Sequence, residues 1–195
     1  MADYALGFDT SAAHCAAALI CGDKVVVSRH VDMARGQAEH LLPLLQEVLD
    51  EAGLKWTDLS VLGVGTGPGN FTGIRIAVAA ARGLALALNI PAIGIGACEA
   101  RAWGQRRPCR IVIPARAGEV IWQDFGPQGP LSDPASTPAD LLPDGPAEAH
   151  HTAIAEGVAH LALSRLGTEQ PRPAPIYLRP ADAAPARDSG PLILS

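Results

Sequence analysis

A chain of 195 residues, 48% of them apolar, carries enough hydrophobic material for one sizeable domain or two small ones sharing a cleft. A formal net charge of −5 excludes unaided binding of RNA or DNA by phosphate neutralisation, so a nucleic-acid role needs a partner. The four cysteines, Cys15, Cys21, Cys98 and Cys109, form no C-x-x-C pair, which excludes a disulfide framework or a zinc site by spacing. Reduced thiols, together with an opening Met-Ala-Asp-Tyr that lacks the apolar run of a signal peptide, lead us to expect a cytoplasmic protein.

The first predicted strands are Ala5 to Asp9, Cys15 to Ile20 and Lys24 to His30, joined by turns short enough for an antiparallel meander. Ala38, Leu41, Leu42, Leu45, Val48, Leu49 and Ala52 then recur at helical spacing, with Pro43 placed near the first turn and Gly53 as the stop. A strand over Ser60 to Gly65 leads into Gly67-Pro68-Gly69-Asn70-Phe71-Thr72-Gly73-Ile74-Arg75, where Asn70 or Thr72 caps a helix running to Asn89. The apolar stretch Ile74 to Ala97 approaches the length of a membrane span. Arg75, Arg82, Asn89 and Pro91 interrupt it, so a helix followed by a strand at Ala92 to Ile95 is predicted, without a membrane.

The order βββαβαβ is that of a ribonuclease-H-like half-unit, the topology of the actin and sugar-kinase ATPase superfamily. Three prolines, Pro43, Pro68 and Pro91, precede residue 101, leaving 14 of the 17 in the remainder. We therefore divide the chain into residues 1–100, an N-terminal ribonuclease-H-like half, and residues 101–195, a degenerate proline-rich half. In the latter we predict a hairpin (Arg110 to Ile113, Glu119 to Phe125), a loop from Gly126 to Pro146, a helix from Thr152 to Leu166 and an irregular tail.

Superfamily ATPases hold phosphates on glycine-bearing hairpins. The first hairpin here, with Asp9, Thr10 and Ser11, keeps the acid and lacks the glycine, so only a vestigial nucleotide site is expected. The glycine turn matches neither the Walker nor the dinucleotide pattern, and the six histidines include no i, i+3 or i, i+4 pair. These spacings point to no catalytic residue and no metal ligand set. Arg101, Arg106, Arg107, Arg110 and Arg116 form a basic cluster, either a solvated face or a contact to an RNA backbone.

The helix from Thr72 to Asn89 is the more informative element. Arg75, Arg82 and Asn89 lie seven residues apart and trace one narrow polar stripe on an otherwise apolar surface, which implies a second surface to cover it. That cover is either the second half of the chain or another molecule. As a partner interface we expect His40, Leu41, Leu45, Val48, Ala77, Ala80, Ala81, Leu84 and Leu88, such that Ala80→Glu or Ala81→Glu weakens association and leaves the monomer folded.

The segment Gly67 to Arg75, with His40-Leu41-Leu42-Pro43 before it and Pro175-Ile176-Tyr177-Leu178-Arg179 near the end, resembles the TsaB (YeaZ) family. The chain departs from that family at Asn70 (usually serine), at Pro114-Ala115-Arg116 (usually Asp-Ala-Arg) and at Ile121 (a tyrosine position), and its second half is short. The resemblance implies an actin-like ATPase fold with degenerate nucleotide sites and a non-catalytic role in making threonylcarbamoyladenosine in tRNA. It also implies docking through the two helices to the transferase TsaD, with the ATPase TsaE as a further partner and tRNA met only through the complex. No tightly bound cofactor is implied for this chain, ATP or ADP and a metal belonging to the partner subunits. The competing readings are an autonomous ATPase or glycoprotease-like enzyme of the same fold, and a homodimer through the same helices.

Overall fold

The computed structural model describes residues 2–178; Arg179 of the tail motif and everything after it lie outside the described residues. Apolar strands β1 (Tyr4–Asp9), β2 (His14–Cys21) and β3 (Lys24–Asp32) form the expected antiparallel meander. β4 (Leu59–Gly65) and β5 (Ala92–Ile95) add in parallel, giving a five-stranded sheet of order β3-β2-β1-β4-β5. The crossovers are α1 (Gln37–Glu51) and α2 (Phe71–Leu88), as the periodicity requires. This is the ribonuclease-H-like topology of the actin-like ATPase fold.

Alternation along the strands sends side chains to both faces, and both are buried. Leu6, Phe8, Leu19, Leu62 and Val64 meet Leu41, Leu44, Leu45, Val48 and Leu49 of α1 and Ile74, Ala77, Val78 and Ala81 of α2. The opposite face, with Ala5, Ala18, Ile20, Val61, Ile93 and Ile95, is covered by α3 (Ala97–Arg101) and α4 (Ile154–Ser164). α4 seats closely because Gly7 and Gly63 lie beneath it; a Cβ at Gly7 would stand 2.5 Å from the Ala155 carbonyl oxygen, and one at Gly63 2.7 Å from that of Val158. The result is three layers, with a helix drawn from beyond residue 100 completing the first sheet.

The second sheet is the hairpin β6 (Cys109–Pro114) and β7 (Glu119–Gly126), to which β8 (Gly129–Pro130) and β9 (Ala135–Pro138) pair. The stretch read as a loop from Gly126 to Pro146 thus contains two short strands. They were illegible because pairing to β7, and no apolar alternation of their own, makes them strands. α3 was missed too: five residues are too few for a periodic signal, and it forms because Ala97 and Ala100 face α4 while Cys98 and Ala102 face the second sheet.

Pro43 is not at the first turn but in the second turn of α1. It is tolerated because it is exposed, so the Glu39 carbonyl that loses its helical donor is at the solvent side. The stretch from Ile74 to Ala97 divides as expected into α2 and β5, the helix ending at Asn89 in the left-handed conformation (φ 54°). By length and composition α2 is the one helix among the described residues apolar enough to cross a membrane.

Candidate functional site

The strand-to-helix turn after β4 is built by its neighbours. Gly67 at φ 85° turns the chain and its carbonyl accepts from the Ala97 amide at 2.7 Å. Asn70 is the N-cap of α2: its Oδ1 accepts from the amides of Thr72 (3.0 Å) and Gly73 (3.1 Å), which settles the cap in favour of Asn70. Asn70→Ala is expected to cost about 1 kcal/mol of stability, read as a lower denaturant midpoint with an unchanged slope.

The turn faces the β1–β2 hairpin. The Asn70 amide donates to the Ser11 carbonyl at 2.6 Å, and Thr10 Oγ1 donates to the Gly73 carbonyl at 2.6 Å. A Cβ at Gly69 or Gly73 would fall well inside van der Waals contact distance of the Ser11 or Thr10 carbonyl oxygen. The glycines therefore serve this backbone-to-backbone contact.

At the hairpin's base Asp9 is wholly buried, and Oδ1 accepts from the Ser11 amide (2.9 Å) and the Ser11 hydroxyl (2.8 Å) and lies 2.7 Å from His14 Nε2. Oδ2 is buried beside Gly65 without a protein hydrogen bond. Arg101, on α3, lies within electrostatic reach: burial lowers its pKa and the Asp9 charge opposes that shift. Asp9 Oδ1, the Ser11 amide and the Ser11 carbonyl, groups that a nucleotide hairpin would offer to phosphate and metal, are engaged inside the chain, and the Thr10 carbonyl is packed against Gly73. No group of three or more His, Cys, Asp or Glu among the described residues is placed to hold a metal ion. Burial raises the Cys15 thiol to about 11 and the Cys98 thiol to about 12, so neither is a thiolate nucleophile near neutrality.

The basic cluster disperses. Arg110 is buried and pairs with both oxygens of Asp124 (2.6 and 2.7 Å) while lying over the Trp122 ring, and Arg107 lies over Phe125. Only Arg106 and Arg116 are exposed, so no continuous basic face exists there.

Of the expected interface residues, Leu41, Leu45, Val48, Ala77 and Ala81 are corrected: each is at most 1% exposed because it faces the sheet from inside the α1 and α2 layer. His40, Ala80, Leu84 and Leu88 remain half-buried at the surface. Helical spacing locates both helices, and the sheet covers the face on which those five residues lie. The outward face of α2 carries Arg75, Ala79, Arg82, Gly83 and Leu86, the last 86% exposed, and Leu42 of α1 stands 48% exposed.

The sequence reading also missed what the polar stripe holds. Residues 173–177 run beside α2 as a strap: Arg82 Nε donates to the Pro173 carbonyl and Arg75 Nε to the Tyr177 hydroxyl, each at 2.9 Å. The Ile176 amide donates to the Thr66 carbonyl at 2.8 Å, and Pro173 rests on Gly94 of β5. Gly67 to Arg75 and the Ile176-Tyr177 motif, 100 residues apart in sequence, meet here; two arginines on an otherwise apolar helix were the available signal.

A family model for tRNA N6-adenosine threonylcarbamoyltransferase, TsaD, matches residues 31–171. The threonylcarbamoyladenosine biosynthesis protein TsaB of Escherichia coli is 35% identical over 126 residues, covering 62% of this chain and 54% of the relative. The Buchnera aphidicola protein of the same name is 33% identical over 130 residues, covering 64% and 61%. The chain thus spans less than two thirds of these relatives. An uncharacterized Mycobacterium tuberculosis protein is 34% identical over 161 residues, covering 82% and 72%. Among solved structures, YeaZ from Pseudomonas aeruginosa matches with a TM-score of 0.70 at 27% identity, covering 84% of this chain and 92% of that one.

Proposed function

The chain belongs to the TsaB (YeaZ) branch of the family that the TsaD model describes, and from that premise we propose that it is a non-catalytic subunit in the synthesis of tRNA threonylcarbamoyladenosine, docking by the α1 and α2 layer to a TsaD-type transferase. The observation that carries this reading is the outward face of α2, where Ala79, Gly83 and an 86% exposed Leu86 leave an apolar strip uncovered by the chain's own described residues. Small residues at Ala79 and Gly83 let a second helix approach closely, and a partner of the same fold supplies one.

The filled hairpin at Asp9 supports a division of labour in which the nucleotide and metal reside on the partner subunits, TsaD and the ATPase TsaE, with tRNA reached only through the assembled complex. The assembly belongs in the cytoplasm with its tRNA. Isothermal titration separates the readings: we expect binding heat on adding the transferase paralogue from the same organism and none on adding ATP with magnesium. Tight ATP binding with turnover by the isolated chain would replace this reading with an autonomous enzyme of the same fold. A homodimer that refuses the paralogue in size-exclusion experiments would replace it with self-association.

A further inference from the structure

Arg75 is exposed yet held. Its guanidinium carbon lies 3.7 Å from the centre of the Phe71 ring and 5.8 Å from that of Tyr177, the two rings are 4.9 Å apart, and Nε is engaged by the Tyr177 hydroxyl. An arginine on a helix surface ordinarily samples many rotamers; stacking on one ring and bonding to the other selects among them. No carboxylate pairs with Arg75 among the described residues, α2 contains no Asp or Glu, and the side chain stands one turn before Ala79 on the face that also bears Leu86. A guanidinium already ordered at the rim of an apolar strip loses little entropy on binding, which is how an anchor residue contributes most.

Resting on the docking reading above, we propose that Arg75 is a preset anchor that receives a carboxylate of the partner subunit, with Tyr177 as the positioning residue that aims it. The strap 173–177 is then part of the docking surface, which explains why a distant tail segment returns to α2. With Nε on Tyr177, the outer guanidinium nitrogens are the ones left to take the carboxylate, and a cation at that end of α2 favours an acid over any other side chain.

The test is calorimetry of the full-length chain with the transferase paralogue, at two salt concentrations. Arg75→Ala should weaken binding about 30-fold and flatten its salt dependence, Arg75→Lys should recover only part, and Tyr177→Phe should weaken it about fivefold. The Tyr177→Phe effect should vanish in an Arg75→Ala background, a coupling that a purely structural strap would not produce. If Arg75→Ala binds within about twofold of wild type while Leu86→Glu abolishes binding, the anchor is wrong and docking stands. If neither variant matters, the docking reading itself fails. If Arg75→Ala keeps its partner affinity but the assembled complex loses tRNA retention, Arg75 takes a phosphate and the carboxylate proposal is overturned.

Discussion

Leu86→Glu weakens association with the transferase paralogue by about 100-fold or more and leaves the melting temperature of the isolated chain unchanged. At 86% exposure the leucine touches little of its own chain, so the glutamate costs the monomer nothing it had buried. In a complex the carboxylate would sit in a desolvated helix contact without a partner, the costliest kind of interface change. Ala80→Glu, half-buried one residue beyond Ala79, acts in the same direction more weakly. Ala81→Glu, once expected to behave alike, belongs to another class: Ala81 is 0% exposed against the sheet, and a buried glutamate there unfolds the chain, at about 4 kcal/mol or more. Calorimetry paired with thermal melts distinguishes the two. Full-strength binding by Leu86→Glu would remove the interface from α2.

Gly73→Val is the largest stability loss expected from the glycine turn. Its Cβ would collide with the Thr10 carbonyl, and relief requires parting the turn from the first hairpin, which also breaks the Thr10 to Gly73 and Asn70 to Ser11 hydrogen bonds. A loss of about 3 to 5 kcal/mol follows, or roughly 6 to 20 °C in melting temperature for a chain of this size. A melting temperature within about 2 °C of wild type would show that the turn yields without cost.

The elements of the first half were legible because each encodes its own signal. Strands β1 to β4 are apolar runs between turns, α1 repeats leucines at helical spacing, and the glycine turn offers Asn70 and Thr72 as caps for α2. β8, β9 and α3 were illegible, since they exist only through what they pair with or pack between. The glycine turn was recognised as open backbone, yet its occupant, the carbonyls of Thr10 and Ser11, lies some 60 residues away in sequence. The arginine stripe is visible on α2, but its partner, the strap, lies about 100 residues away and carries no local signal of where it packs.

The sequence by itself determined strands β1 to β7 and helices α1, α2 and α4, their order, and that α2 has more apolar surface than one sheet face can cover, because those properties depend on neighbours within a few residues. Tertiary structure alone decided that Ala77 and Ala81 of α2 face inward while Ala79, Gly83 and Leu86 face out, and that Arg75 is gripped by Tyr177. Burial and contact belong to pairs of surfaces. A helix whose circumference is apolar nearly all round carries no local mark of which side meets the sheet, so only the packing of the sheet against it could choose.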